Sequence, residues 1–362
     1  MYCFGAHREV RHKASGSTLV DYNRGMTDKV AEIGVHPYQR LTPDLLLDAV
    51  ESTGLRCDGR LLALNSFENR VYQVGIEETV PIIAKFYRPS RWTSEMILEE
   101  HAFARELAEA ELPVVPPIVD VIGKTLHEFD GFRFAVYSRQ AGRAPELESQ
   151  DTLMWMGRFI GRIHAIGALQ SFSHRPTLTI EAFGDDPSRY LLEQGFIPAD
   201  LVPAYSTLVQ QVLGQIRASF DSAGALQSIR LHGDCHPGNV LWAADGPHFV
   251  DLDDARMGPA VQDLWMLLSG DRESMGRQLR WLIDGYDEFF DFDRRELALI
   301  EALRTLRMIH YAGWLARRWD DPAFPAAFPW FNTQRYWQDH ILSLREQSAL
   351  MDEPALTLAR LY

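Results

Sequence analysis

From residue 37 onward the spacing of apolar positions changes several times, and each change marks an element. Thr42-Pro43-Asp44 opens a helix: the threonine offers a capping oxygen, Pro43 suits the first helical position, and Gly54 can end it. Three short runs rich in apolar and aromatic residues follow, Leu61–Leu64, Val71–Val74 and Pro81–Tyr87, and read as antiparallel strands. A polar turn, Asn65-Ser66-Phe67-Glu68-Asn69, separates the first two. After Thr93, a second capping residue, the period becomes helical. Ile97, Ala104, Leu107 and Ala108 share a face, Glu100 falls on that face, and Glu99 falls beside it. Val114–Val121 and Phe132–Tyr137 complete the sheet, and Ser138–Arg143 breaks the pattern as a hinge.

Beyond Glu146 the pattern is helical. Asp151 is placed to cap a helix reaching about Leu169, and Gly157 and Gly161, four apart, allow another backbone to come close. His164 in that helix reads as a packing residue. A second long helix covers about 198–223. Phe249-Val250-Asp251 reads as a strand ending in a carboxylate, and Gly258-Pro259 starts a helix that Gly270 ends. The aromatic group Tyr311, Trp314, Trp319, Phe324, Phe328 and Trp330 reads first as core and second as the lining of an acceptor pocket. Residues 1–36 show neither period and are expected to be a disordered extension. The expected division is a small sheet lobe over 37–137, a hinge at 138–145 and a large helical lobe over 146–362, an α+β fold.

The totals narrow the class. A chain of 362 residues, 46% hydrophobic and 24% charged, can bury a large core and has an ordinary soluble composition. Its net charge of −14 argues against a nucleic-acid partner or an anionic membrane. Three cysteines without framework spacing point to a reducing compartment. No apolar run reaches membrane length, and charged residues from Arg8 to Lys13 interrupt any secretory segment. A cytoplasmic monomer is expected.

Candidate chemistry concentrates at 230–254. Asp234 is followed five residues on by Asn239, and twelve later by Asp251 at the end of a strand. A phosphoryl acceptor needs a carboxylate to orient its hydroxyl and take its proton. Mg²⁺ needs hard oxygen ligands besides the nucleotide phosphates, which an Asn amide and an Asp carboxylate supply. That spacing is the one kinase catalytic loops use. Lys85, in the apolar run Ile82-Ile83-Ala84-Lys85-Phe86, needs a partner if it is buried. The inward carboxylate of Glu100 is its candidate, and a solvent-facing edge lysine is the plain alternative. A zinc site from His232, Cys235 and His236 would leave Asn239 and Asp251 unexplained, and the adjacent pair Cys235–His236 points apart in an extended chain.

His-Gly-Asp-Cys-His-Pro-Gly-Asn (232–239) resembles the catalytic loop of the aminoglycoside phosphotransferase and choline kinase superfamily. The wider context, including Leu-Asn-Ser-Phe-Glu-Asn-Arg-Val-Tyr, Lys-Phe-Tyr-Arg-Pro and Phe-Val-Asp-Leu-Asp-Asp-Ala-Arg, is similar to a bacterial stress-response serine/threonine kinase branch of it, from about Leu41 to the C-terminus. The resemblance implies a bilobal protein-kinase-like fold with ATP and Mg²⁺ in the cleft. It implies that Lys85 contacts phosphates, that Glu100 positions Lys85, that Asn239 and Asp251 hold Mg²⁺, and that Asp234 is the base. The turn at 65–69 would lie over the phosphates; it lacks the glycines of protein kinases, so backbone N–H groups and the Ser66 hydroxyl would serve. Asp263 would brace the catalytic loop through its backbone N–H groups. The seven residues between Asp251 and Pro259 leave no room for a protein-kinase activation segment. The acceptor is a protein Ser/Thr or, alternatively, a small choline-like or aminoglycoside-like alcohol.

Overall fold

The computed structural model describes residues 36–244 and 246–358. The expectation for residues 1–36 therefore lies, except for His36, outside the described residues.

Helix α1 (Pro43–Glu51) starts where the pattern places it, with Thr42 Oγ1 accepting from the Leu45 N–H at 3.3 Å. It packs on an antiparallel sheet of β1 (Cys57–Ala63), β2 (Arg70–Ile76), β3 (Ile82–Phe86), β4 (His127–Phe129) and β5 (Phe132–Ser138). The strand order is β1-β2-β3-β5-β4. Leu46, Val50, Val74, Ile82, Phe86, Phe134 and Val136 make the core between them. Helix α2 (Ser94–Glu109) is capped by Thr93 and buries Ile97, Glu100, Ala104 and Leu107.

One strand was misplaced by the pattern. Residues 114–121 make only isolated bridges, Val114 to Phe249 and Pro117 to Tyr137. Pro113, Pro116 and Pro117 lack the N–H groups that a ladder needs. The fifth strand is β4, whose three residues are too few to show a period.

The rest of the chain is mainly helical: α3 (Gln150–Gly167), α4 (Asp186–Glu193), α5 (Val202–Ala223), α6 (Arg272–Tyr286), α7 (Ile300–Ala316), α8 (Ala323–Ala327) and α9 (Gln334–Met351), around a second, larger core. Ser149, rather than Asp151, caps α3; Asp151 sits in the first turn, where its charge suits the helix dipole. The glycine pair does bring a backbone close. A Cβ on Gly157 would lie 2.0 Å from the Leu282 carbonyl oxygen, and one on Gly161 would lie 2.6 Å from that of Tyr286, both on α6.

The helix expected from Gly258-Pro259 is absent. Instead β9 (Arg256–Gly258) pairs with β6 (Ile229–Leu231), and two 3₁₀ turns follow, Ala260–Asp263 and Trp265–Leu267. Tertiary ties hold this segment: Val261 N–H donates to Glu296, and the Gln262 amide donates to the Gly233 carbonyl. Gly270, at φ +90°, leads into α6 rather than ending a helix. A short hairpin, β7 (Val240–Ala243) with β8 (Gly246–Phe249), links the loop at 232–239 to Asp251.

Candidate active site

A cavity of about 760 Å³ opens between the sheet and the helices. Ser66, Lys85, Glu100, Asp234, Asn239 and Asp251 all line it, so residues from five separate stretches of chain meet there. Tyr137, Ser138 and Gln140 line the hinge side, and α7 lines the far side.

The loop at 232–239 is held from behind. Gly233 has φ +85°, and a Cβ there would sit 2.2 Å from the Asp254 carbonyl oxygen, so only glycine fits. The N–H groups of His232 and Gly233 donate to the two oxygens of buried Asp263, each at 2.8 Å. This is the bracing read from the sequence. Behind Asp263, fully buried His164 contacts its Oδ2 at 3.1 Å and the Tyr286 hydroxyl at 2.8 Å, as a packing residue. His232 Nε2 donates to the Val250 carbonyl at 2.9 Å, and Val250 N–H donates to the Asn239 carbonyl at 3.0 Å. The two halves of the motif are thereby tied together.

Asn239 Nδ2 donates to the Asp234 carbonyl at 3.0 Å, so the other end of the amide, Oδ1, is an acceptor. Asp251 takes a left-handed conformation, φ 61° and ψ 60°, and its carboxylate is half exposed at 50%. Such a conformation costs a non-glycine residue about 1–3 kcal/mol. An amide oxygen and an exposed carboxylate form a hard donor set that fits Mg²⁺ bound jointly with phosphates. Zinc fits poorly: His232 is committed to Val250, His236 Nδ1 accepts from Gly238 N–H, and Cys235 is buried. Among the described residues no group of three or more His, Cys, Asp or Glu could hold a metal.

Asp234 is doubly held. Its Oδ1 lies 2.5 Å from Arg307 Nη1, and its Oδ2 lies 3.4 Å from His236 Nε2. Burial alone would raise its carboxyl, but the Arg307 charge and His236 outweigh this and keep it well below the usual range.

Lys85 is buried and its partner differs from expectation. Nζ lies 2.8 Å from Asp251 Oδ1 and 3.2 Å from Asp253 Oδ1. Burial would depress the ammonium, but these two carboxylates raise it well above its ordinary value. Glu100 faces the same cavity yet makes no ion pair with Lys85, and its buried Oε2 has no hydrogen-bond partner. Burial pushes its carboxyl up to about 7, against the pull of Lys85. Glu99 is used elsewhere, accepting from the N–H groups of Ser173, His174 and Arg175.

The turn at 65–69 is fastened across the cavity. Phe67 lies 4.7 Å from the Phe328 ring, Glu68 pairs with Arg88 and Arg318, and Asn69 Nδ2 donates to Asp253 Oδ2 at 3.1 Å. Asp253 is buried against Lys85 and Arg91, and Asp254 pairs with Arg91 and Arg256. Those arginines and Arg307 carried no local signal; each is identified only by the carboxylate it meets. Tyr311 and Trp314 line the cavity, while Phe324 belongs to the core, so the aromatic group serves both purposes.

Known proteins match this architecture. The family described as Phosphotransferase enzyme family matches residues 60–300. Stress response kinase A of Escherichia coli strain K12 is 44% identical over 325 residues, 90% of this chain and 98% of that protein. The serine/threonine protein kinase RdoA of Salmonella typhimurium is 41% identical, with the same shares covered. Among solved structures, an amicoumacin kinase in complex with AMP-PNP, Ca²⁺ and Ami superposes with TM-score 0.68 at 18% identity, covering 87% of this chain and 95% of that one. A microcompartment-associated aminopropanol kinase superposes with TM-score 0.65 at 15% identity, covering 85% and 97%. These two establish a shared fold.

Proposed function

The chain belongs to the phosphotransferase enzyme family, and on that premise we propose that this kinase transfers the terminal phosphoryl group of ATP, with Mg²⁺, to serine or threonine hydroxyls of a protein substrate in the bacterial stress response. The observation that carries the reading is the meeting of Lys85, Asp234, Asn239 and Asp251 on one cavity, with the segments that carry the last three cross-tied by hydrogen bonds.

Lys85, the Ser66 hydroxyl and the backbone N–H groups beside it receive the phosphates, and the hinge that begins at Ser138 receives the base. Asn239 and Asp251 would hold Mg²⁺, which when bound would supply positive charge beside the phosphate oxygens. Asp234 accepts the hydrogen bond of the incoming hydroxyl. The new oxygen–phosphorus bond forms as the bond to the departing ADP breaks, and the hydroxyl proton passes to Asp234. In the resting protein Arg307 keeps this carboxylate ionised, and its main work is to orient the hydroxyl. This suits a loose transition state, in which the proton leaves late.

The relatives named as stress response or serine/threonine kinases are similar over nearly their whole length, which supports a protein acceptor. The aromatic wall of Tyr311 and Trp314 is the feature that favours a small-molecule alcohol instead. Incubating labelled ATP with a cell lysate and separating protein from small-molecule fractions distinguishes the two. For the chemistry itself, Asp234→Ala is expected to lower turnover by roughly 10²–10⁴ while ATP still binds. Near-normal turnover in that variant would remove Asp234 from its role.

A further inference from the structure

Helix α7 turns one stripe toward the cavity: Arg307, His310, Tyr311 and Trp314, at helical spacing. Arg307 stands at its outer end, with its side chain 44% exposed and its guanidinium 2.5 Å from the carboxylate assigned to the incoming hydroxyl. Nearly every other acidic side chain of the cavity is already engaged. Asp251 faces Lys85, Asp253 and Asp254 face Arg91, and Glu68 faces Arg318. Glu100 is buried and lies on α2, across the cavity from α7. A cationic acceptor entering along α7 finds no spare carboxylate there. An anionic group finds a half-exposed guanidinium with five donors in a rigid fork.

We propose that Arg307 sets acceptor specificity: it binds an acidic side chain flanking the phosphorylated serine or threonine, and in turning to that group it releases Asp234 Oδ1 to the acceptor hydroxyl. Binding of the correct substrate thus unmasks the orienting carboxylate. The inference rests on the Ser/Thr reading above and adds a sequence preference to it.

The test uses the full-length protein with Mg²⁺, ATP and two synthetic peptides, each with one serine, flanked by glutamates in one and by lysines in the other. Wild type is expected to favour the glutamate peptide in kcat/KM by roughly 1.5- to fivefold, the range of a partly exposed ion pair. Arg307→Lys should keep the direction of that preference, and Arg307→Glu should abolish or reverse it. If charge reversal beside Asp234 prevents folding, Arg307→Gln takes its place, and loss of the preference is then the supporting result. A glutamate preference that survives these variants, or equal use of both peptides by wild type, overturns the role of Arg307 alone. ATP hydrolysis with neither peptide phosphorylated overturns the Ser/Thr reading and this inference with it.

Discussion

Glu100→Gln is expected to make the protein more stable and the enzyme slower. Glu100 is 2% exposed, its Oε2 has no hydrogen-bond partner, and its carboxyl is pushed from an ordinary 4.5 to about 7. Each pKa unit corresponds to about 1.36 kcal/mol, so holding this group ionised in the fold costs about 3 kcal/mol. The sign follows from linkage. The folded pKa lies above the unfolded one, so the folded state binds the proton more tightly. The penalty is absent below about pH 4.5, grows as pH rises, and is complete above about 7. Glutamine has the same shape and does not titrate. In urea denaturation its advantage over wild type should be smallest near pH 4.5 and approach about 3 kcal/mol by pH 8. Turnover should fall by roughly tenfold or more, because the α2 carboxylate that would draw Lys85 off Asp251 when nucleotide enters is gone. A variant less stable than wild type at pH 8 would show that Glu100 is a paired anion in the resting protein. An advantage that does not change with pH would refute the burial argument.

Two further outcomes test the framework behind the site. Asp263→Ala leaves the N–H groups of His232 and Gly233, and the ring of His164, without their buried acceptor. At about 1–3 kcal/mol per unpaired group, urea denaturation should show a loss of about 3 kcal/mol or more, and turnover should drop while fluorescence titration still detects ATP binding. Unchanged stability would mean the loop is held by other means. Gly157→Ala places a methyl 2.0 Å from the backbone of α6 and should cost about 1–3 kcal/mol, or more, in the same measurement. Gly214→Ala on α5, with nothing within 4 Å of the new methyl, should instead be neutral or stabilising by up to about 1 kcal/mol. Equal effects from the two glycine changes would discount the close crossing of α3 and α6.

What the sequence alone determined is local in character. Thr42-Pro43 and Thr93 set the starts of α1 and α2 because a capping oxygen acts within three residues of itself. The helical period put Glu100, and not Glu99, on the inward face. The spacing of Asp234, Asn239 and Asp251 was legible because one loop and one hairpin carry all three. Even so, the fragment 114–121 and the stretch after Gly258 were misread. Both hold apolar residues whose partners are tertiary, and proline or buried side-chain hydrogen bonds overrode the local period. The pairing of charges was decided only by the tertiary structure. Lys85 meets Asp251 across 166 positions, Arg307 meets Asp234 across 73, and Arg70 meets Asp321 across 251. A cation's residue type is written in the chain, but its partner is whichever carboxylate the folded backbone brings within a few ångströms, and Coulomb attraction in a partly dry cleft then selects among them.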